Sequence, residues 1–258
     1  MIQNSFIFLP RIKQKKEQNI WDQGVNNWND FLTCDIKGIS KPTKANYNRI
    51  IEKSKQALRE NNSNYFVGKL SSIETWRLYD YFKDEAIFLD IEASSSTSKN
   101  AYLTVIGIYD GMNTKIMVKN YNLDLNKLKN ELHKYKLIIT FNGSSFDIPF
   151  LNKKPQGVLP RIPHIDLRHI CAKIGLTGGL KQIEKKLKIK RSNIIIEKLY
   201  GGDPIKLYRM FLGSGDPYYL KLLVEYNEED VINLKKIADY SINKLKNEIL
   251  TNRKTTLA

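Results

Sequence analysis

Apolar side chains recur at three- and four-residue spacing through the first 80 residues. Trp21, Val25, Trp28 and Phe31/Leu32 follow that period, and Tyr47, Ile50, Ile51 and Leu58 line one face of a segment from Thr43 to Leu58. This spacing gathers side chains on one side of an α-helix, with Gly24 and Gly38 as punctuation. Ser71-Ser72-Ile73-Glu74 has the S-x-x-E form of a capping box and predicts a further short helix carrying Trp76, Leu78 and Tyr79. After Asp84 the period drops to two. AIFLDI (Ala86 to Ile91), YLTVIGIY (Tyr102 to Tyr109) and KIMV (Lys115 to Val118) read as strands, with Asp110-Gly111 as the turn before the third. A helical stretch over Leu125 to Leu132, strands over Leu137 to Phe141 and Pro163 to Ile165, and a long last helix from about Leu220 to Glu248 follow. The order β-β-β-α-β-α-β predicts an α/β layered domain with a mixed sheet over residues 81–258, behind a helical region over residues 1–80.

Charge narrows the partner. The 258 residues hold 42 Lys+Arg against 27 Asp+Glu, a net +15, which favours a polyanion such as nucleic acid or an anionic membrane surface. Lys181 to Arg191 (KQIEKKLKIKR) concentrates six basic residues around Glu184 alone, a pattern shared by a solvated helix face and a phosphate-tracking surface. Two cysteines, Cys34 and Cys171, form neither a disulfide framework nor a C-x-x-C metal site. Apolar runs such as Leu137-Ile138-Ile139 fall far short of the roughly 18 to 20 residues that a membrane span needs. The expectation is a cytoplasmic protein in a reducing compartment, with no membrane partner.

Three groups of residues carry candidate chemistry. Asp90 and Glu92 stand two apart on the first strand, so both carboxylates face the same side of the sheet. Like charges there repel unless a cation lies between them, and Mg²⁺ or Mn²⁺ prefers carboxylate oxygens; D-x-E alone also describes ordinary surface acids. Asn142-Gly143-Ser144-Ser145-Phe146-Asp147 follows the LIITF strand, a strand-to-helix turn in which Asp147 opens the next helix. Tyr226 and Asp230 lie at i and i+4 on the final helix, hence on one side of it.

In order, D-x-E, N-x-x-x-F-D and Y-x-x-x-D resemble the three exonuclease motifs of the DEDD superfamily, tyrosine subtype. LDIEAS, LTVIGIYDG, ITFNGSSFDIPFL, PHIDLRH, LKQIEKKLKI and EYNEEDVINL are similar to successive blocks of the YprB-type ribonuclease H-like exonuclease domain, over roughly residues 84–240. The resemblance implies a ribonuclease H-like mixed sheet flanked by helices. It also implies a metal-dependent 3'-5' exonuclease acting on single-stranded nucleic acid, DNA favoured and RNA the second option. Two Mg²⁺ or Mn²⁺ ions would be held by Asp90, Glu92, Asp147 and Asp230, and Tyr226 would orient the attacking water. Asn142, Ser94, Ser95, Lys181 and Lys185 are candidate substrate contacts, and Asp166 is expected to cap a helix or support a ligand rather than bind metal. His164 reads as a packed strand-end residue; Tyr200, Tyr208, Tyr218 and Tyr219 read as base-stacking candidates or core. Two departures stand out: Ala93-Ser94-Ser95 replace the usual threonines after D-x-E, and Pro10-Arg11-Ile12-Lys13 lacks the glycines of a helix-hairpin-helix leader. A non-cleaving nucleic-acid-binding protein and a structure-selective endonuclease on the same fold are the alternatives.

Overall fold

The computed structural model describes residues 1–95, 100–154, 157–191 and 203–255. Among them the strands form one five-stranded mixed sheet in the order β3-β2-β1-β4-β5, with β1 Ala86–Ala93, β2 Leu103–Tyr109, β3 Thr114–Val118, β4 Leu137–Thr140 and β5 His164–Asp166. The meander is antiparallel, whereas β4 runs parallel to β1 and β5 parallel to β4. β1 is therefore central, and the two faces of its pleat have different covers.

Ile87, Leu89 and Ile91 pack on one face against Leu128 and Leu132 of α5 (Leu125–Leu132) and Leu151 of α6 (Asp147–Asn152). Ala86 and Phe88 face the other way, into a core shared with α7 (Leu167–Lys173) and the last helix. That helix, α10, runs from Pro217 to Thr255, longer at both ends than expected, and follows α8 (Leu180–Lys186) and α9 (Pro204–Ser214). Strand alternation thus turns Asp90 and Glu92 toward α10.

The N-terminal region forms α1 (Gln14–Asp22), α2 (Trp28–Thr33), α3 (Lys41–Arg59) and α4 (Tyr79–Phe82). Gly24, at a φ of +82°, separates the first two, so Val25 lies between helices rather than within one. Its side chains, from Ile2 through Trp76, are continuous with the sheet core. The predicted capping box does not form. Glu74 is buried and holds the Arg77 guanidinium (2.7 Å) and the Lys173 ammonium (2.6 Å), and the segment makes only a 3-10 turn, Thr75–Leu78, before α4. A carboxylate shared between the buried Arg77 and the half-buried Lys173 is not available to cap amides. Glu17 completes the network: it pairs with Arg77 at 2.9 Å and accepts from the Phe6 and Ile7 amides and the Ser5 hydroxyl. Among the described residues no helix is long and apolar enough to cross a membrane.

Candidate metal centre

Asp90 and Glu92, at the C-terminal half of β1, meet Asp230 of α10; one carboxylate oxygen from each lies within 4.8 Å of the others. Asp90 and Glu92 are half-buried and Asp230 is buried. Asp147, the first residue of α6, is buried beside this trio but outside the 4.8 Å group, with Oδ1 accepting from the Ile91 amide at 3.1 Å. The β1 backbone between the two strand acids therefore orients the carboxylate from α6.

The turn that delivers Asp147 is built by two residues behind it. Asp166, N-cap of α7, accepts from the amides of Asn142 (2.7 Å), Ser144 (3.0 Å) and Arg168 (3.0 Å). Asn142 sits at a φ of +64° and its side-chain oxygen accepts from Arg168. A Cβ on Gly143 would stand 2.1 Å from Thr140 Oγ1, so no larger residue fits. His164 donates to or accepts from Thr140, and burial lowers its pKa to about 4; it is packed at the strand end.

Burial dominates the electrostatics. It raises Asp90, an effect reinforced by the charges of Asp230, Asp147 and Glu92. Burial and then the Asp230 and Asp147 charges push Glu92 up to about 8. Asp147 rises to about 7 and Asp230 to about 6, burial again leading and Arg191 opposing it at Asp230. Oxygen donors held at this proximity are destabilised as anions by one another, so a hard divalent cation among them removes the repulsion. The donor set fits Mg²⁺ or Mn²⁺.

Two cations approach Tyr226, which is buried one turn before Asp230: Lys181 Nζ lies 4.9 Å and the Arg191 guanidinium 5.4 Å from the ring centroid. Lys185 lies on exposed α8 surface beside Lys181, in a cleft that also includes Lys190 and Arg191. Ser94 is spent on structure, its Oγ accepting from the Tyr102 amide at 3.1 Å. Tyr208 is fully buried core, Tyr218 and Tyr219 form an edge-on pair on α10, and Tyr200 and residues 96–98 of the serine loop lie outside the described residues.

Sequence reasoning missed the acid contacts of Arg191 and the roles of Asn233, Asn227 and Gly107. Arg191 contacts Asp230 and chelates the buried Glu184 carboxylate at 2.8 and 2.9 Å, while Asn233 donates to Glu184 at 2.9 Å. Asn227, fully buried, donates to Asp90 Oδ2 at 2.9 Å. Gly107, opposite Asp90 across the sheet, leaves the space for Asn227. The lone acid within the basic 181–191 run was the available signal.

A mixed sheet whose central strand offers two acids to a carboxylate-bearing final helix defines a ribonuclease H-like fold. The RNase_H_2 family of the RNase H superfamily matches residues 87–242, and this chain belongs to that superfamily. Membership points to nuclease chemistry on nucleic acid. No curated protein matches the sequence. Among solved structures, the family B DNA polymerase from the hyperthermophilic archaeon Pyrobaculum calidifontis is similar at 13% identity, with a TM-score of 0.45, over 60% of this chain and 24% of that chain.

Proposed function

We propose that this protein is a metal-dependent 3'-5' exonuclease of single-stranded nucleic acid, with DNA favoured. The observation that carries the reading is the convergence of Asp90, Glu92 and Asp230 within 4.8 Å, with Tyr226 one turn away on the helix that supplies Asp230. Asp90, Glu92, Asp230 and Asp147 would hold two Mg²⁺ or Mn²⁺ ions, which when bound supply charge neutralisation at the scissile phosphate and a more acidic water. Tyr226 stays protonated, because burial and then the Asp230 charge hold its phenol well above the ordinary tyrosine range. It therefore acts as a hydrogen-bond donor that orients the water and not as the base. Asn142 and Asp166 act through the turn, fixing where α6 begins. Lys181 lies where it would attract a phosphate near Tyr226.

The test uses 3'- and 5'-labelled single-stranded DNA and RNA with Mg²⁺, Mn²⁺ or chelator, for wild type and Asp147→Asn. A ladder that shortens from the 3' end, and disappears with chelator and in the variant, is expected. Undiminished cleavage by the variant would overturn the site; cutting of circular strands as readily as linear ones would make the enzyme an endonuclease.

A further inference from the structure

Arg191 has more connections than a neutralising cation needs. Its Nε and Nη2 hold both oxygens of Glu184, at 2.8 and 2.9 Å, and Nη2 also reaches Asp230 Oδ1. Glu184 is itself fixed: it is buried on α8 and receives Asn233 Nδ2 from α10. The bidentate pair is therefore a stationary anchor, and the Asp230 contact is a second, separable attachment on one nitrogen. Nη1 takes no part in either contact with Glu184. The guanidinium also lies over the Tyr226 ring, the side chain assigned to the attacking water.

These contacts have opposite dependence on charge. With only carboxylates in the pocket, Asp230 attracts Arg191. With divalent cations among the same carboxylates, that attraction is shared or reversed, while the pairing with Glu184, which Asn233 also holds and which lies outside the Asp90, Glu92 and Asp230 group, is retained. A planar guanidinium released from a carboxylate but still anchored at one edge is suited to a phosphate, which it can grip with two parallel N–H bonds.

We propose that Arg191 is a two-position residue. Anchored on Glu184, it neutralises Asp230 in the metal-free pocket and transfers that contact to a phosphate of the nucleic acid when metal takes over Asp230. Metal and nucleic acid then bind cooperatively through one side chain, each strengthening the other by the same factor. This inference rests on the proposed metal-dependent nuclease reading and adds the order of events at that site.

The experiment measures two affinities in the full chain. Mn²⁺ binding is followed by electron paramagnetic resonance without nucleic acid. Binding of a fluorescent single-stranded phosphorothioate oligonucleotide is followed by anisotropy, with Ca²⁺ and with chelator. Arg191→Gln is expected to bind Mn²⁺ about fivefold more tightly than wild type, since the resident cation is gone. It should also lose about tenfold in oligonucleotide affinity with Ca²⁺ while staying within about twofold with chelator. Arg191→Gln combined with Glu184→Gln removes the buried unpaired carboxylate and provides a folded comparison if the single variant is unstable. Unchanged or weaker Mn²⁺ binding in both variants would show that Arg191 only positions Asp230 and would overturn the proposal. So would an equal loss of oligonucleotide affinity with and without Ca²⁺, the mark of a permanent contact. Wild type that binds no Mn²⁺ would instead sink the metal-dependent reading beneath it.

Discussion

Gly107→Ala isolates how the sheet backbone sets a candidate ligand. Gly107 pairs with Asp90 across β1 and β2, and Asn227 crosses above it to donate to Asp90 Oδ2 at 2.9 Å. A Cβ at residue 107 would stand 2.1 Å from Asn227 Oδ1 and 3.0 Å from both Asn227 Cγ and Ile116 Cδ1. Asn227 is fully buried on α10, so it cannot swing into solvent. Overpacking of this kind costs about 1–3 kcal/mol. Breaking the hydrogen bond to Asp90, whose neutral form burial and the neighbouring acids favour, adds about 0.5–1.5 kcal/mol, and the better strand propensity of alanine returns about 0.5–1 kcal/mol. The expected loss is about 1–4 kcal/mol, read from urea unfolding of the metal-free protein. The diagnostic step is Asn227→Ala in the same background: with the amide gone only the 3.0 Å approach to Ile116 Cδ1, the far end of a flexible side chain, remains, so the double variant should be about as stable as Asn227→Ala alone. Mn²⁺ affinity, which depends on where Asp90 points, should remain impaired in both. A Gly107→Ala protein of wild-type stability, or a double variant whose loss equals the sum of the two singles, would refute the reasoning.

Arg191→Gln leaves the buried Glu184, among the described residues, with Asn233 as its one neutral side-chain partner, so denaturant titration should show a loss of about 3–5 kcal/mol, mostly recovered when Glu184→Gln is added. Metal-free protein should melt at a lower temperature at pH 8 than at pH 5.5. Carboxylates whose pKa rises on folding, to about 6, 7 and 8 at Asp230, Asp147 and Glu92, bind protons in the native state that the unfolded chain has released, so stability falls as pH climbs through this window. The same sign makes the gain in melting temperature from saturating Mn²⁺ larger at pH 8; a gain larger at pH 5.5 would contradict it. Tyr226→Phe should lower kcat by about 10²-fold while Mn²⁺ affinity stays at the wild-type value, because the phenol orients water and holds no metal.

Much of this was legible in the chain itself. The alternation in AIFLDIEA put Asp90 and Glu92 on one face without reference to any fold, and the four-residue step from Tyr226 to Asp230 brought phenol and carboxylate to one side of a helix. Asp147 at a helix start followed from the Asn-Gly turn before it. What was hidden depends on contacts between distant segments. Arg191 and Asp230 are 39 positions apart, and a basic run on α8 looks solvated until its one acid, Glu184, is found buried inside it. Gly107 sits in an unremarkable strand, and its need for a missing side chain comes from a helix 120 positions later. Glu74 misled for the converse reason: a local capping pattern lost to two cations, one of them, Lys173, nearly a hundred residues away.

The length of α10 couples the acidic pocket to the N-terminal helices along a single rod. At 1.5 Å per residue its 39 residues extend about 58 Å. Tyr226, Asn227 and Asp230 serve the acidic pocket near one end, while near the other Lys246 pairs with Asp80 at 2.7 Å and Leu245 and Ile249 border α1. Between them Val231, Leu234, Ile237, Ala238, Ile242 and Leu245 form the buried stripe. One residue inserted between Asn233 and Ile237 would rotate everything beyond it by about 100° and advance it by about 1.5 Å, so either the pocket or the N-terminal helices would meet the wrong face. Chain length can drift in the connections but not inside this rod, whose angular register is the coordinate that both halves of the molecule must hold in common.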